Sequence, residues 1–379
     1  MIIGIDIRVL TRGARTGIEE YTINLLSRLF LLGREHQFKL FYNAFSQQPL
    51  EFNWEELPNV KIYRFHFPNR FVLDPLAKFF RMPKIDALLG GVDIFFSSHF
   101  LLGETNCPKI LTFHDLSFEY FPEFFSAQKR LWHSFVNPRQ RAREARGIIA
   151  VSGSTKNDLI DLYGIEERKI KTIYSGVAEN FQRLEIKDGE LEIRKKYGLP
   201  PKFILYFGTI EPRKNLEGLI GAYEIFRRKN PDLNHALVLA GAPGWLCQKI
   251  FSAASRSTFK KDIVFTGFVE PQDKSALYNL ASLFVFPSLF EGFGFPPLEA
   301  MACGVPTIAS FTSSFPEVID DGALLVDPYN LGELAWAMAE VLRDENLRED
   351  LIFKGFGRAR NFSWDKCARE TLEFLISNS

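Results

Sequence analysis

Residues 203–229 read FILYFGTIEPRKNLEGLIGAYEIFRRK, a pattern from which the class of fold can be inferred. Its first five residues are apolar and end at Gly208, which is typical of a short buried strand followed by a turn. Beyond the turn, apolar residues recur every three or four positions, as on one face of a helix. We expect Asn215 at the N-cap and five side chains on the buried face: Leu216, Leu219, Ile220, Tyr223 and Phe226. A strand that leads through a glycine turn into a helix is the unit of parallel sheets with crossover helices.

The same alternation of short apolar runs and helical periods extends along the chain in both directions. Before this stretch it predicts seven strands, at 2–7, 38–42, 60–63, 93–96, 109–113, 147–151 and 171–174. From this stretch onward it predicts six, at 203–207, 236–240, 263–265, 283–286, 306–309 and 323–326. A linker rich in Gly, Asn, Asp and Pro lies between the two series. The predicted fold is α/β, with two Rossmann-like, doubly wound parallel-sheet domains facing across a cleft, at 1–180 and 200–360, and a last helix at 361–379.

Charge and cysteine content exclude several classes of protein. Lys plus Arg and Asp plus Glu number 46 each, so the chain lacks the basic field that drives nucleic-acid binding, and no nucleic-acid partner is expected. The four cysteines lie far apart without a CxxC pair, which indicates reduced thiols in a cytoplasmic protein. No apolar run approaches the about 18 residues that a membrane span needs.

The first loop that could hold a phosphate is TRGARTG at 11–17, between the first predicted strand and a helix from about residue 18. Its glycines, Gly13 and Gly17, allow backbone N–H groups to approach an anion at a helix N-terminus. The spacing matches neither of the common phosphate-binding glycine motifs. Because glycine-rich strand-to-helix turns are common, a purely structural role stays equally open.

A second phosphate candidate follows Gly208, where Arg213 and Lys214 stand just before a helix. The N-terminal end of a helix favours carboxylates, so two cations there cost stability unless an anion binds. A pyrophosphate would supply that anion. The alternative is a charged pair on a turn that faces solvent.

The third stretch, SLFEGFGFPPLEAMACGVP at 288–306, places Glu291 and Glu299 on either side of Gly292, Phe293, Gly294 and Phe295. The pattern predicts a loop that exposes backbone N–H groups, then a helix with Pro297 in its first position, Glu299 in its first turn and Gly304 at its end. Glu299 alone is explained by the helix dipole. Together with Glu291 it indicates hydroxyl recognition, because a carboxylate accepts hydrogen bonds from two neighbouring hydroxyls of a ribose or hexose.

This stretch resembles the Glu-x7-Glu motif of the retaining glycosyltransferase family 4, which has the GT-B fold. Four further motifs follow the family's order, in addition to the loop at 13–17: TFHD at 112–115, VSGST at 151–155, YFGTIEPRKN at 206–215 and FTGFV at 265–269. The resemblance covers nearly the whole chain, and the residues of these motifs are similar to those of bacterial polysaccharide mannosyltransferases. In this family the last helix crosses back to the first domain.

The resemblance implies a role for each charged residue. Glu299 is expected to bind the ribose, Glu291 to contact the donor sugar, and the backbone from Gly292 to Phe295 to hold sugar hydroxyls or phosphate oxygens. Arg213 and Lys214 are expected to neutralise the departing diphosphate, since fixed cations stabilise charge that develops in the transition state. They would take the place of a divalent metal, so no metal or other cofactor is expected.

Two further sites come from the resemblance. Gly267, Phe268 and Val269 are expected to lie against the nucleotide base, with an ordinary strand-to-loop exit as the alternative. His114, at the end of a predicted strand, is expected to contact the donor sugar, with a loop hydrogen bond as the alternative. Retention is expected to proceed by front-face substitution, and no nucleophile is assigned.

The stretch 64–84 interleaves aromatic and basic residues. Such a mixture is typical of segments that contact an anionic membrane surface or a lipid-linked acceptor. A helix and loop packed on the core of the first domain explain it equally well.

The sequence thus predicts an enzyme that moves a hexose, with mannose favoured, from a GDP- or UDP-hexose to a glycan or lipid-linked acceptor. A nucleotide-sugar epimerase of the same fold and an inactive nucleotide-sugar-binding protein are the alternatives. A nicotinamide dehydrogenase is disfavoured because no GxGxxG joins a strand to a helix.

Overall fold

The computed structural model describes residues 1–12, 17–45, 50, 52–184 and 190–379. The chain divides into two compact units. The first consists of Met1–Leu116, Gln128–Gly176 and Ser363–Ser379, and the second of Ser117–Ala127 and Val177–Phe362. Compared with the expected domains, the segment Ser117–Ala127 groups with the second unit, and the chain from Ser363 onward groups with the first.

The first unit contains a seven-stranded parallel sheet in the order β3-β2-β1-β4-β5-β6-β7. Its strands are β1 (Ile2–Asp6), β2 (Gln37–Asn43), β3 (Val60–Phe65), β4 (Ile94–Ser97), β5 (Lys109–Phe113), β6 (Gly147–Ala150) and β7 (Ile170–Thr172). All seven predicted strands are present, with ends that differ by at most two residues. The strand order reverses between β1 and β4.

The second unit contains a six-stranded parallel sheet in the order β10-β9-β8-β11-β12-β13. Its strands are β8 (Phe203–Phe207), β9 (Ala236–Ala240), β10 (Ile263–Gly267), β11 (Leu283–Phe286), β12 (Thr307–Ser310) and β13 (Leu324–Val326). The order reverses between β8 and β11, and ligands of doubly wound sheets bind beyond the carboxyl ends of the strands at such a point. The prediction of two doubly wound parallel sheets is confirmed.

Helices follow most strands. They are α1 (Gly17–Leu32), α2 (Ile85–Leu88), α3 (Ser117–Tyr120), α4 (Ala127–Val136), α5 (Pro138–Glu144), α6 (Gly153–Tyr163), α7 (Glu190–Tyr197), α8 (Leu216–Lys229), α9 (Gln248–Arg256), α10 (Lys274–Asn279), α11 (Phe295–Ala302), α12 (Phe315–Ile319), α13 (Leu331–Arg343), α14 (Glu345–Arg360) and α15 (Trp364–Ser377). The last helix, α15, packs on α1 within the first unit, where the rings of Trp364 and Tyr21 lie 5.8 Å apart. Among the described helices, none is long and apolar enough to cross a membrane.

The two cores lie where the apolar runs of the sequence indicated. Every residue of β9 and of β11 is buried, because helices cover both faces of a parallel sheet. The predicted buried face of α8 is confirmed, since its five apolar residues are at most 3% exposed. These buried elements fix the positions of the loops at the carboxyl edge of the second sheet.

Candidate active site

Two glycines bring the loops after β8 and β9 into backbone contact. Gly208 has a φ of +152° and Gly241 a φ of +137°, and a Cβ on Gly241 would lie 2.0 Å from the carbonyl oxygen of Gly208. Only glycine fits at such a close approach. The N–H of Gly241 also donates to the carbonyl of Gly267 at the end of β10 over 3.0 Å. The loops of three neighbouring strands are thereby tied together at one edge of the sheet.

Arg213 and Lys214 lie on a short 3₁₀ turn, Pro212–Lys214, just before α8. Asn215 occupies the N-cap position with a φ of +56°, but its side chain makes no capping hydrogen bond. Its Nδ2 instead donates to the carbonyl of Pro328 over 2.7 Å. The predicted N-cap position of Asn215 is confirmed, and its side-chain amide is used for a tertiary contact with the loop that precedes α13.

The two cations are paired with carboxylates of the protein itself. Arg213 Nη1 lies 3.0 Å from Glu291 Oε2, and Lys214 Nζ lies 2.5 Å from Glu291 Oε1. On its other side Arg213 Nη2 lies 2.9 Å from Glu211 Oε1. The expectation that both cations wait for an anion was therefore wrong. Glu291 contacts the two cations from a loop that lies 77 residues beyond Lys214 in the chain. A helix dipole, which acts locally, gives no indication of such a distant partner.

Glu291 is held as an ionised carboxylate. Burial opposes ionisation, but Arg213, Lys214 and the hydroxyl of Ser288 outweigh it and lower the pKa of Glu291 to about 2. Ser288 Oγ lies 2.6 Å from Glu291 Oε1. Burial and the neighbouring Arg213 lower the pKa of Lys214, while the two carboxylates act in the opposite direction.

The loop that carries Glu291 is anchored to the end of β12 and to the loop that follows it. Ser310 Oγ donates to the carbonyl of Ser288 over 2.5 Å, and the N–H of Glu291 donates to Ser313 Oγ over 2.9 Å. Gly294 has a φ of +90°, and a Cβ there would lie 2.5 Å from a ring carbon of Phe315. Gly294 therefore ends the loop in a conformation that a larger residue cannot adopt without a shift of that ring.

Glu299 lies deeper in its helix than predicted. Helix α11 begins at Phe295, so Pro297 is its third residue and Glu299 lies in the second turn. The predicted placement in the first turn was wrong, and with it the explanation of Glu299 by the helix dipole, which acts within the first turn. The side chain is buried, and its Oε2 accepts a hydrogen bond from the hydroxyl of Tyr278 over 2.8 Å. Gly304 follows the end of the helix with a φ of +73°, as predicted.

The three residues expected at the base differ in their surroundings. Gly267 has a φ of +71°, and a Cβ there would meet no atom within 4 Å. Phe268 is 54% exposed, whereas Val269 is 3% exposed and belongs to the core. In the loop ahead of α11, Phe293 is buried and the hydroxyl of Ser314 donates to its carbonyl over 3.2 Å.

His114 follows β5 in the first unit. Its Nε2 lies 2.7 Å from the carbonyl oxygen of Ser98, so Nε2 carries the proton and donates it. Burial lowers the pKa of His114, against the effects of Ser98 and Asp115, which makes the ring neutral at pH 7. The ring packs edge-on to Tyr21 at 4.8 Å. Of the two predicted loop glycines in this unit, Gly17 begins α1, and Gly13 lies outside the described residues.

Within the second unit, the structure brings Arg213, Lys214 and Glu291 into one cluster and connects Gly208 to Gly267 through Gly241. Among the residues described, no group of three or more His, Cys, Asp or Glu could hold a metal ion.

Sequence reasoning missed two polar residues. Glu211 is 2% exposed and stands two positions before its partner Arg213, so its place in the motif was a usable signal. Tyr278 lies on α10, 21 residues before Glu299, and no local pattern indicates that the two meet.

A segment from the first half of the chain also contributes aromatic contacts. Within the second unit, the ring of Phe290, next to Glu291, lies 5.4 Å from Tyr120 and 6.0 Å from Phe121. Trp245 Nε1 donates to the carbonyl of Phe124 over 2.5 Å. The segment Ser117–Ala127 therefore packs against the loops that follow β9 and β11.

Two family profiles match consecutive halves of the chain. Residues 15–181 match Glycosyltransferase Family 4, and residues 190–357 match Glycosyl transferases group 1. The chain belongs to the group 1, family 4 glycosyltransferases. The resemblance seen in the five sequence motifs is confirmed, and the protein is a glycosyltransferase.

The glycosyltransferase is similar to two Escherichia coli proteins. It is 29% identical over 365 residues to O-antigen chain mannosyltransferase B, a match that covers 94% of this chain and 95% of the relative. It is 35% identical over 242 residues to the serotype-specific mannosyltransferase WbdA, and there the match covers 63% of this chain. The match spans only 30% of WbdA, which is a much longer protein.

The fold of the glycosyltransferase is that of solved GT-B enzymes. Anabaena HepE, solved in complex with UDP and glucose, superposes with a TM-score of 0.74 at 20% identity, and the match covers 100% of both chains. At that identity the likeness shows the fold alone.

Proposed function

We propose that this glycosyltransferase transfers a hexose, and specifically mannose, from a nucleotide diphosphate sugar to a glycan or lipid-linked acceptor, with retention of anomeric configuration. The observation that carries the proposal is the cluster in which Arg213 and the buried Lys214 contact the buried Glu291, at the carboxyl ends of β8 and β11. The names of the two Escherichia coli relatives, both mannosyltransferases, support mannose.

The cluster is suited to a departing diphosphate because its cations are fixed in advance. Glu211 and Glu291 hold the guanidinium of Arg213 from two sides, and Glu291 also holds the ammonium of Lys214. When the glycosidic bond breaks, negative charge grows on the leaving phosphate oxygen. Prearranged cations in a buried site stabilise that charge without first reorganising, and this is where they lower the barrier most.

The remaining donor contacts follow from the same edge of the sheet. Glu299, with one oxygen fixed by Tyr278, would accept hydrogen bonds from the ribose hydroxyls. The open space at Gly267 and the exposed ring of Phe268 would admit the base. The backbone N–H groups from Gly292 to Phe295 would hold hydroxyls of the sugar.

His114 would act as a neutral hydrogen-bonding group toward the sugar. Because its Nε2 donates to Ser98, its Nδ1 carries a lone pair that can accept from a hydroxyl. Front-face substitution through an oxocarbenium-like ion pair requires no protein nucleophile, and none is assigned. The proposed reaction also needs no divalent metal, since Arg213 and Lys214 supply the positive charge.

The decisive experiment is a transfer assay with GDP-mannose and with UDP-hexoses, using an isolated glycan acceptor and NMR of the new anomeric centre. We expect transfer of mannose with retention. Replacing Arg213 and Lys214 together by Ala should reduce turnover by two or more orders of magnitude, comparable to loss of a group that stabilises transition-state charge. Near-normal turnover would remove their role.

The same assay separates the alternatives. An epimerase would convert the donor sugar without an acceptor, and an inactive binding protein would bind the donor and release no nucleoside diphosphate. A thermal-shift series with different nucleotide sugars identifies the base, because a ligand that binds only the native state raises the melting temperature.

A further inference from the structure

The first unit carries an exposed apolar surface formed by two neighbouring elements. On the helical turn Leu76–Phe80 and just after it, Phe79 is 67% exposed, Phe80 70% and Met82 59%. On the adjacent helix α4, Leu131 is 72% exposed, one turn before Phe135, whose ring lies 6.2 Å from that of Phe79. We call these four exposed residues, Phe79, Phe80, Met82 and Leu131, the Phe79 surface.

The exposed side chains stand on an anchored segment. Ala77 is 1% exposed, and Leu73 is 2% exposed and packs in a core cluster with Phe41 and Ile85. Lys78 Nζ donates to the carbonyl of Phe135 and lies 4.3 Å above its ring, which joins the turn to α4. One side of the segment is therefore buried in the unit, and the other presents large apolar side chains to solvent.

Positive charge predominates next to this surface. Arg81 lies 3.3 Å from Glu104 and 3.1 Å from Glu144. Arg141 contacts both of these carboxylates, and Lys84 lies 3.9 Å from Glu104. These three cations outnumber the two carboxylates by one, and Lys78, which donates to a backbone carbonyl, adds a further positive charge on the turn that carries Phe79 and Phe80.

The combination of exposed apolar side chains and neighbouring positive charge indicates which kind of partner binds the Phe79 surface. A second copy of the chain, placed by a twofold axis, would bring the same positive cluster against itself. A membrane with anionic lipids instead offers an apolar layer beneath a negative surface, which matches exposed aromatic residues flanked by cations.

We propose that the Phe79 surface binds anionic membranes, with Phe79, Phe80 and Met82 entering the boundary between headgroups and acyl chains. The proposal extends the proposed function, because it would bring the enzyme to a lipid-linked acceptor. Its test uses no transfer reaction and stands apart from the proposed function.

The test is co-sedimentation with vesicles of phosphatidylcholine, with and without phosphatidylglycerol. The wild type should sediment with the anionic vesicles, and added salt should weaken binding. The combined variant Phe79→Ser, Phe80→Ser and Met82→Ser should lose tenfold or more in affinity. The matched control is Phe353→Ser, since Phe353 is 79% exposed on α14 of the second unit, and this variant should bind as the wild type does.

Three outcomes would overturn the proposal. They are absence of wild-type binding, undiminished binding of the combined variant, and equal binding to vesicles with and without phosphatidylglycerol.

Light scattering after gel filtration tests whether a second copy of the chain covers the Phe79 surface instead. A wild-type dimer that the combined variant converts to a monomer would replace the membrane proposal. Because the three side chains are exposed, the combined variant should unfold at the wild-type temperature. If it unfolds at a lower temperature, the single variant Phe80→Ser replaces it in the vesicle assay. Unchanged transfer to a soluble acceptor in the combined variant would show that the proposed function is independent of this surface.

Discussion

The ion pair between Lys214 and Glu291 is expected to stabilise the second unit even when no donor is bound. Both residues are 8% exposed, and their charged atoms lie 2.5 Å apart. Burial works against the charge of Glu291, yet Arg213 and Lys214 lower its pKa from 4.5 to about 2, a shift equivalent to about 3 kcal/mol. Removing one partner of a buried pair costs about 3–5 kcal/mol, in the same range. We therefore expect Glu291→Gln to lower the unfolding free energy of this unit by about 3 kcal/mol.

A double-mutant cycle measures the coupling. Lys214→Met and Glu291→Gln each remove one partner of the same buried pair, so the double variant should lose about 1–3 kcal/mol less than the two losses added together. Because the chain has two units, the measurement is amide hydrogen exchange in β8 and β11, which reports the opening of the second sheet alone.

The control is the Arg227–Asp262 pair of the same unit, whose atoms lie 2.8 Å apart but whose Asp262 side chain is 41% exposed. Asp262→Asn should cost under about 1 kcal/mol. Losses that add within about 0.3 kcal/mol in the Lys214 and Glu291 cycle would show that the two side chains are not coupled. A cost for Glu291→Gln no larger than that of the control would contradict the expected stabilisation by the pair.

The remaining predictions test acid stability, the ribose site and the absence of a metal. The pKa of Glu291 is lower in the folded than in the unfolded protein, so ionised Glu291 stabilises the fold fully above pH 4.5, and this stabilisation is lost as the pH falls through about 2. The unfolding free energy of Glu291→Gln should therefore fall less steeply with decreasing pH than that of the wild type. Equal slopes would contradict the ion pairing. Tyr278→Phe should weaken nucleotide binding about tenfold in calorimetry, because it removes one hydrogen bond to the charged Glu299. Glu299→Ala should weaken binding further. Unchanged affinity in both variants would exclude a role of Glu299 in binding the ribose. Excess EDTA should leave most transfer activity, and full loss that manganese restores would show that a metal takes part.

The sheets could be predicted from the sequence because burial on both faces leaves a direct signal. Strands of a parallel sheet under two layers of helices consist of continuous apolar runs, and β9 and β11 are buried at every position. Such runs predict that a strand is present. Its ends depend on hydrogen bonds to neighbours, and this explains differences such as the extension of β10 to Gly267.

The electrostatics of the site could not be predicted in the same way. The spacing of Glu291 and Glu299 identified the motif, but the contact of Glu291 with Lys214 joins loops 77 residues apart and depends on the order of strands β8 and β11. The position of Glu299 was missed for a local reason. Gly294 adopts a φ of +90°, which lets α11 begin at Phe295 and moves Glu299 into its second turn.

The grouping of the segment Ser117–Ala127 was missed for a third reason. Its apolar residues indicate burial but not against which unit, and the decisive partners are single aromatic rings. Phe125 stacks on Trp245 at 6.0 Å, and Tyr120 packs on Phe290 at 5.4 Å. Contacts of that kind leave no periodic pattern in a chain.

The neutral charge of the cluster changes how it would act on a donor. Two free cations would attract any diphosphate and hold donor and product equally well, which lowers the KM without raising kcat. Glu211 and Glu291 instead offset Arg213 and Lys214 before anything binds. If the cluster binds the donor diphosphate as proposed, the net attraction for the donor is reduced, while the two cations stay fixed where charge on the leaving oxygen would grow. Under the proposed function, Glu211→Gln should therefore strengthen binding of the nucleoside diphosphate product and slow its release. A variant that binds the product more weakly and keeps the wild-type kcat would show that Glu211 does not offset the charge of Arg213.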